Sequence, residues 1–485
     1  MTTKVSRQSR LLLPPNIVAM KVFNTLGRRK EDLVPRRPGE ISMYVCGATV
    51  QSEPHLGHGR SAVAFDVIRR YLEWRGYEVT YVQNVTDVED KIIAAAAEQG
   101  IPALELAGIM AKRFDDAYAA LGVKPPTIQP RATDHIPQML VLIEKLIGED
   151  LAYPSGGDVY FAVRALPGYG RLSGRHLDDL LAGARVEPGE HKRDPLDFAL
   201  WKGAKPGEPA WDSPWGKGRP GWHIECSAMA LEYLGPGFDI HSGGTDLIFP
   251  HHENEMAQSE GAIGKPFATY WLHNEMLNLG GEKMAKSTGH VIDLAEAIRR
   301  FGPMAVRLFF LRAHYRTPQE YSEELLADAQ SAIDRLWAFR RRAERGGDPE
   351  SSVMEAFFEA MDDDFNTAAA IGILFDTVRE GNRRIDMGRK VAPWAAAFDQ
   401  IVDVLGLEPP EAELIGIETE IVGLLESLGI LPEATADLNV ERLLGERAEA
   451  RTRQEWGRAD AVRDGLAALG IVVEDTPDGA RWHRR

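Results

Sequence analysis

The stretch from Ile41 to Asn84 constrains the fold more than any other part of the chain. Ile41-Ser42-Met43-Tyr44-Val45-Cys46 has strand character and runs into a glycine-containing loop. A helical period follows from about His58 to Trp74, with Ala62, Phe65, Ile68 and Leu72 on one face. Glu78-Val79-Thr80-Tyr81-Val82-Gln83-Asn84 reads as a second strand, and another helical run starts near Val88. This strand–helix–strand order implies a parallel βαβ unit, whose ligand crevice lies outside the carboxyl ends of its strands. Cys46 and the loop His55-Leu56-Gly57-His58 both fall at that end.

A second loop, Lys283-Met284-Ala285-Lys286-Ser287, follows Gly280-Gly281. Taken alone, its lysines read equally well as a solvated turn; the histidine loop tips the reading towards phosphate. Attack of a carboxylate on an α-phosphate develops negative charge on the departing pyrophosphate, and preorganised N–H and ammonium donors stabilise that charge. Gly57 has no side chain, so its backbone can approach a nucleotide closely. The two loops resemble the signature loops of class I aminoacyl-tRNA synthetases. The resemblance implies that His55, His58, Lys283 and Lys286 are catalytic and that His55, Gly57, His58 and Lys286 contact ATP.

At 485 residues the chain has room for two to four domains. Its fold class reads as α/β: a Rossmann-like parallel-sheet domain carrying a connective insertion, then an α-helical bundle and a small C-terminal α/β module. The expected boundaries are 1–19 for a disordered extension, 20–125 for the first half of the sheet domain and 126–220 for the insertion. The second half spans 221–300, the bundle 301–407 and the C-terminal module 408–485. Asp158 to Val163 looks like a strand within the insertion, and the segment from Asp293 to about Leu407 looks almost wholly helical. Folded patterning begins at Lys21, so Met20 is itself a candidate initiator. No apolar run reaches the roughly 18 residues of a spanning helix, and no secretory signal is evident, so a cytoplasmic protein without a membrane partner is expected. The net charge of −17 argues against sequence-blind adhesion to nucleic acid, although Arg340-Arg341-Arg342 with Arg345 forms one local basic patch.

Only two cysteines occur, Cys46 and Cys226, and a lone disulfide is not expected in a cytosolic chain of this size. They are either buried structural thiols or metal ligands brought together by the fold. His251 and Glu255, four apart in Pro250-His251-His252-Glu253-Asn254-Glu255, share one face of a helix. Two thiolates, an imidazole and a carboxylate suit tetrahedral zinc. The run is no metallopeptidase motif, because the second histidine of His-Glu-x-x-His is missing.

Met43 to Ile93, Gly221 to Glu260 and Tyr270 to His290 resemble the diagnostic blocks of the cysteinyl-tRNA synthetases, with weaker similarity from Lys21 to the C-terminus. The resemblance implies one zinc per chain at Cys46, Cys226, His251 and Glu255, and ATP with Mg²⁺ as substrate. It places L-cysteine near Thr86, Trp222 and Asp246, with Asp246 facing the amino group and Trp222 a wall of the pocket. It implies tRNA(Cys) as partner, with Arg451, Trp456, Asp460 and Asp475 reading the anticodon, and a monomer. Trp456 can stack on a base; the alternative for it is a core tryptophan. The implied activity is a cysteine–tRNA ligase that forms cysteinyl-adenylate and transfers the cysteinyl group to the 3′ end of tRNA.

A metal has a physical rationale there. Serine and cysteine are nearly isosteric, and shape alone separates such pairs by about 1–3 kcal/mol. Zinc prefers a thiolate to a neutral alcohol, so it would select the substrate thiolate without an editing domain, and no segment resembles one. The chain departs from the family at Ala48, Gln51-Ser52-Glu53, Glu89 and Ala285, none of which is a ligand or phosphate contact. Two other readings remain. One is a paralogous ligase passing cysteine to a small amine, which the long C-terminal region and Arg60 disfavour. The other is a zinc-stabilised nucleic-acid-binding protein whose two loops are vestigial.

Overall fold

The computed structural model describes residues 20–177, 191–279, 282–283, 292–344, 346–408, 418–432, 436–476 and 479–484. It divides into two compact units, Met1–Leu407 and Glu408–Arg485. Among the described residues no single helix is long and apolar enough to cross a membrane.

The first unit is built on four parallel strands. The chain forms β1 (Glu40–Val45), crosses through α1 (Leu56–Trp74) and returns as β2 (Glu78–Gln83). After a long excursion it forms α2 (Trp222–Leu234), β3 (Phe238–Gly244), α3 (Glu253–Ile263) and β4 (Ala268–Asn274). In space the order is β4-β3-β1-β2, so the chain first grows the sheet on one side of β1 and later on the other. The gap between β1 and β3 is therefore the point where strand order reverses, and the crevice outside their carboxyl ends is where such sheets take ligands.

Strand alternation decides which residues face that crevice. Ile41, Met43 and Val45 pack with α1 residues such as Val63, Phe65 and Leu72. Tyr44 points to the opposite face and joins a second core with Ile224, Cys226 and Trp271. Cys46, two positions beyond Tyr44, follows it to that side and packs against the same core. The period of two thus aims Cys46 at α2, where Cys226 sits.

The excursion contains a four-stranded antiparallel sheet, Ala152–Ser155, Asp158–Phe161, Phe198–Gly203 and Gly218–Pro220. Of these strands only Asp158–Phe161 was legible in the sequence, and it ends before Val163, which begins a 3₁₀ turn. Pro154 lies inside one of the others and Gly218 and Pro220 inside another, while Phe198–Gly203 runs into a stretch rich in glycine, proline and tryptophan. From Leu294 to Leu407 the described residues are helical apart from turns, isolated bridges and Gln319–Glu320, which pairs in parallel with Leu277 and Asn278. Gln319 and Glu320 form one edge of a small sheet, with Leu277–Leu279 in the middle and Glu282–Lys283 on the other edge, and the Gln319 N–H donates to the Met276 carbonyl at 3.2 Å. The helical segments from Leu294 to Leu405 share one hydrophobic core with α1.

A buried ion cluster fastens that helical region to α1. Asp66 on α1 receives the Arg307 guanidinium, Arg70 Nε at 2.8 Å and the Lys124 backbone N–H at 2.8 Å. Arg307, fully buried, also donates to the carbonyls of Leu405 and Leu121 at 2.8 and 3.1 Å. Gly406, in the left-handed region at φ 62°, leaves space that a Cβ would take from that guanidinium. Burial pushes the Asp66 carboxyl up, but Arg307 and Arg70 more than offset it, and it ends below its ordinary value. A lowered folded-state pKa means stabilisation that is present at neutral pH and lost as acid protonates the group. Asp66→Asn should therefore cost about 3–5 kcal/mol at pH 7 in denaturant unfolding. The difference from wild type should shrink below the ordinary aspartate value of about 3.9. A pH-independent difference would contradict the ion cluster.

The second unit is smaller. Helices Glu418–Ser427, Ala436–Thr452 and Trp456–Ala468 pack with the hairpin Ile471–Thr476 and Gly479–Arg484 around Leu425, Leu443, Val462 and Ile471.

Candidate active site and metal centre

Cys46, Cys226, His251 and Glu255 converge, with one donor atom from each lying within 4.8 Å of the others. Cys46 leaves the end of β1, Cys226 lies one turn into α2, and His251 and Glu255 flank the start of α3. Glu255, with no exposed surface, is the hub. Its Oε1 lies 3.3 Å from Cys46 Sγ and 3.0 Å from His251 Nε2, and its Oε2 lies 2.9 Å from His241 Nε2. Trp222 stacks on the His251 ring at 4.4 Å between centroids, and His223 Nδ1 lies 3.0 Å from His251 Nδ1.

These groups perturb one another strongly. Burial would raise Glu255, but His241 and His251 hold it well below the usual carboxylate range. Burial would lower His251, yet Glu255 and the Cys226 sulfur bring it up to about 10. Burial raises the Cys226 thiol, and hydrogen bonds from Cys46 and His251 bring it back down to about 6. Cys46 is left well above its ordinary value, first by burial and then by Cys226. One readily ionised thiol and a carboxylate, with an imidazole between, is a donor set that suits a soft divalent cation.

A second set overlaps the first. Cys46, His241, His252 and Glu255 also place donor atoms within 4.8 Å of one another. His252 Nδ1 lies 2.8 Å from His273 Nε2, whose Nδ1 lies 2.8 Å from Thr25 Oγ1. His252 Nε2 is buried without a hydrogen-bond partner among the described residues, 3.9 Å from Glu255 Oε1. The first set has two thiols against one and suits zinc better; His241 then acts as the outer partner that orients Glu255. Sequence reasoning missed His241, His252 and His273. For His241 and His273 the available signal was a histidine inside a mainly apolar strand, and for His252 its place beside His251.

The histidine loop forms the first turn of α1. His55 and His58 stack at 3.6 Å between centroids, and the His55 backbone N–H donates to His58 Nδ1 at 3.2 Å. Gly57 accommodates this pair as well as any ligand, since a Cβ there would lie 3.0 Å from the His55 ring. The helix N-terminus adds backbone N–H groups of the kind that bind phosphate. Lys283 is placed by its backbone, paired with Asn278, and Lys286 and Ala285 lie outside the described residues.

The implied cysteine-pocket residues surround the metal set unevenly. Thr86 is buried just past β2 and accepts from Asn84 Nδ2 at 3.2 Å. Trp222 braces His251, and Asp246 lies exposed in the turn after β3, its carboxylate occupying space that Gly244 leaves open. Sequence reasoning also missed Glu225, on the first turn of α2. Its carboxylate is fully buried and is pushed well up by burial and then by Cys226 and Asp87, with His251 and the Thr86 hydroxyl acting in the opposite direction.

Three of the departures from the family have local partners. Glu89 caps the helix Asp90–Gln99 by accepting from Lys91 N at 2.6 Å, Glu53 pairs with Arg113, and Ala48 packs against the apolar cluster of the following helices. In the second unit Trp456 is 59% exposed, which removes the alternative of a core tryptophan. Arg451 and Asp460 are exposed, Asp460 pairs with Arg463 at 3.1 Å, and Asp475 pairs through its backbone with Ala480. The basic run is partly neutralised: Arg340 forms two bonds to Asp399, and Arg342 bonds Asn382 and Asp386. Arg345 lies outside the described residues.

Residues 32–331 match the family described as tRNA synthetases class I (C) catalytic domain. Residues 356–408 match the DALR domain, and 434–482 the cysteinyl-tRNA ligase anticodon binding domain. The fold is similar to methionyl-tRNA synthetase of Mycobacterium tuberculosis in complex with methionyl-adenylate, at a TM-score of 0.54, 17% identity and coverage of 81% of this chain and 94% of that one. Fold and catalytic-domain match together define a class I aminoacyl-tRNA synthetase. The chain is 50% identical to the cysteine–tRNA ligase of Desulforudis audaxviator, over 96% of its own length and 100% of that protein. It is 47% identical to that of Syntrophotalea carbinolica, with the same coverage. The chain belongs to the cysteine–tRNA ligases.

The approach of the strand ends is tight where the pocket begins. A Cβ on Gly47 would lie 1.7 Å from the Asn84 carbonyl oxygen, and the Gly47 N–H donates to Asn84 Oδ1 at 2.9 Å. Gly47→Ala should therefore push Cys46 and Thr86 apart and cost about 1–3 kcal/mol in denaturant unfolding. Unchanged stability would contradict this contact.

Proposed function

We propose that the protein activates L-cysteine with ATP and passes the cysteinyl group to tRNA(Cys), with zinc bound by Cys46, Cys226, His251 and Glu255 selecting the substrate thiolate. The observation that carries this reading is the convergence of those four donors at the strand-order reversal, with Cys46 opening the loop that leads to His55. In the first step a carboxylate oxygen of cysteine bonds to the α-phosphorus of ATP and the bond to pyrophosphate breaks. In the second a 3′-terminal hydroxyl of tRNA bonds to the cysteinyl carbonyl carbon, AMP leaves with the bonding electrons, and the hydroxyl proton is lost.

When bound, the ion would supply a soft Lewis acid that holds a thiolate and rejects an alcohol. The chain's own residues do the rest. His55, His58, Lys283 and Lys286, with the N–H groups of the first turn of α1 and the Mg²⁺ that accompanies ATP, neutralise the charge that grows on pyrophosphate. Gly57 lets the backbone come close. Asp246 faces the substrate ammonium, Thr86 lines the pocket and Trp222 closes it while holding the His251 ring. His241 fixes the Glu255 carboxylate from behind at 2.9 Å. In the second unit Trp456, exposed at 59%, offers a stacking face, and Arg451, Asp460 and Asp475 offer polar contacts to anticodon bases.

Cysteine-dependent pyrophosphate exchange followed by tRNA acylation tests the reading. Both should occur; exchange without acylation would favour a ligase for a small amine. Cys226→Ala and Glu255→Ala should raise the KM for cysteine at least about 100-fold and lower the bound zinc. Normal cysteine activation by those variants would contradict the pocket. Lys286→Ala should lose about 100-fold or more in exchange kcat with little change in cysteine KM. Normal turnover with a large loss of cysteine affinity would contradict its role.

A further inference from the structure

Arg60 joins the two nucleotide loops from behind. It lies two residues beyond His58 on α1 and is 2% exposed. Its guanidinium donates to three backbone carbonyls, Met276 at 2.7 Å, His314 at 3.4 Å, and Thr317. Burying a guanidinium is costly, and the planar fork repays that cost by holding several acceptors in fixed directions.

The three acceptors belong to the base of the lysine hairpin. Met276 immediately precedes the strand Leu277–Leu279, which pairs with Glu282–Lys283 on one edge and Gln319–Glu320 on the other. His314 and Thr317 form the turn that leads into Gln319, joined by the Thr317 N–H to the His314 carbonyl at 2.9 Å. Arg60 therefore grips two neighbouring strands where they start. Next to it, Ser61 Oγ donates to Asn274 Oδ1 at 3.0 Å.

The segment beyond the lysines is moored to the same turn. The Leu56 N–H donates to the Ile292 carbonyl at 3.0 Å, and the Leu294 N–H to the Pro54 carbonyl at 3.0 Å. Gly59 permits this approach, because a Cβ there would lie 2.9 Å from Leu294 Cδ1 and 3.2 Å from the Phe310 ring. The chain thus enters and leaves the lysine segment at points bonded to residues 54–61.

We propose that Arg60 is a positioning residue for adenylate formation, which touches no substrate and sets the lysine hairpin against His55 and His58 through the carbonyls of Met276, His314 and Thr317. The proposal rests on the reading of both loops as triphosphate-binding. A shift of the hairpin by about 1 Å would cost on the order of 100-fold in rate. It would leave the four metal donors, carried at the end of β1, on α2 and around the start of α3, in place.

The test is cysteine-dependent pyrophosphate exchange by the full chain with its metal, for wild type, Arg60→Gln, Arg60→Lys, Lys286→Ala and the Arg60→Gln/Lys286→Ala double variant. Arg60→Gln should lose about 100-fold in kcat while the KM for cysteine stays within about twofold. The double variant should be no more than about threefold slower than Lys286→Ala alone, since both changes act on the same contact with ATP. Losses that multiply in the double variant, or a cysteine KM that rises with kcat unchanged, would overturn the assignment. Should Arg60→Gln fail to fold, Arg60→Lys, which keeps the charge but not the fork, carries the same comparison. An active wild type with multiplying losses defeats only the role of Arg60. A wild type without exchange defeats the triphosphate reading and the proposal with it.

Discussion

A carboxylate with no access to water cannot stay ionised alone, and Glu255 sets the terms for everything around it. Each of its oxygens faces donors carried by separate parts of the chain: Cys46 after β1 and His251 before α3 on one oxygen, His241 within β3 on the other. Three elements must therefore hold their relative positions for the charge to be tolerated. Compensation of this kind is seldom a source of net stability, since an apolar cluster of equal volume would serve as well. Its persistence beside a low-lying thiol fits a ligand set for a cation better than a packing device.

The sheet order explains how so few residues bring this about. Reversal between β1 and β3 opens the crevice, the alternation of β1 turns Cys46 towards α2, and Gly47 allows the ends of β1 and β2 to close to backbone contact. The opposite face of β1 packs on α1, whose first turn carries His55 and His58. Under the proposed function, thiol recognition and phosphate binding are thus mounted on the two ends of one loop, Cys46 to His55. The Asp66–Arg307 pair then fixes α1 against the helical region.

Much of this was legible from residues alone where the periodic runs are long. The crossover from Ile41 to Asn84 could be read because its helix repeats apolar positions over five turns and its strands are bounded by glycine and polar residues. The antiparallel sheet of the insertion mostly was not, because proline or glycine interrupts two of its strands and a third runs into a glycine- and proline-rich stretch. Residue types named Cys46, Cys226, His251 and Glu255 as ligands, but nothing in their spacing could place Cys46 beside the others. That follows from the β3–β1 pairing, a long-range contact. His241 and Glu225 escaped notice because each sits in a run that reads as ordinary strand or helix, and only their complete burial marks them as exceptional. Arg60 was visible as a residue, whereas its carbonyl partners lie in distant segments.

Recognition of sulfur by a protein-held metal is the central claim, and cobalt(II) in place of the native ion reports on it optically. Titrating the cobalt-loaded protein with cysteine should add a thiolate-to-metal absorption band, and serine at the same concentration should leave the spectrum unchanged. Identical responses to the two amino acids, or saturable cysteine binding with no spectral change, would contradict the account.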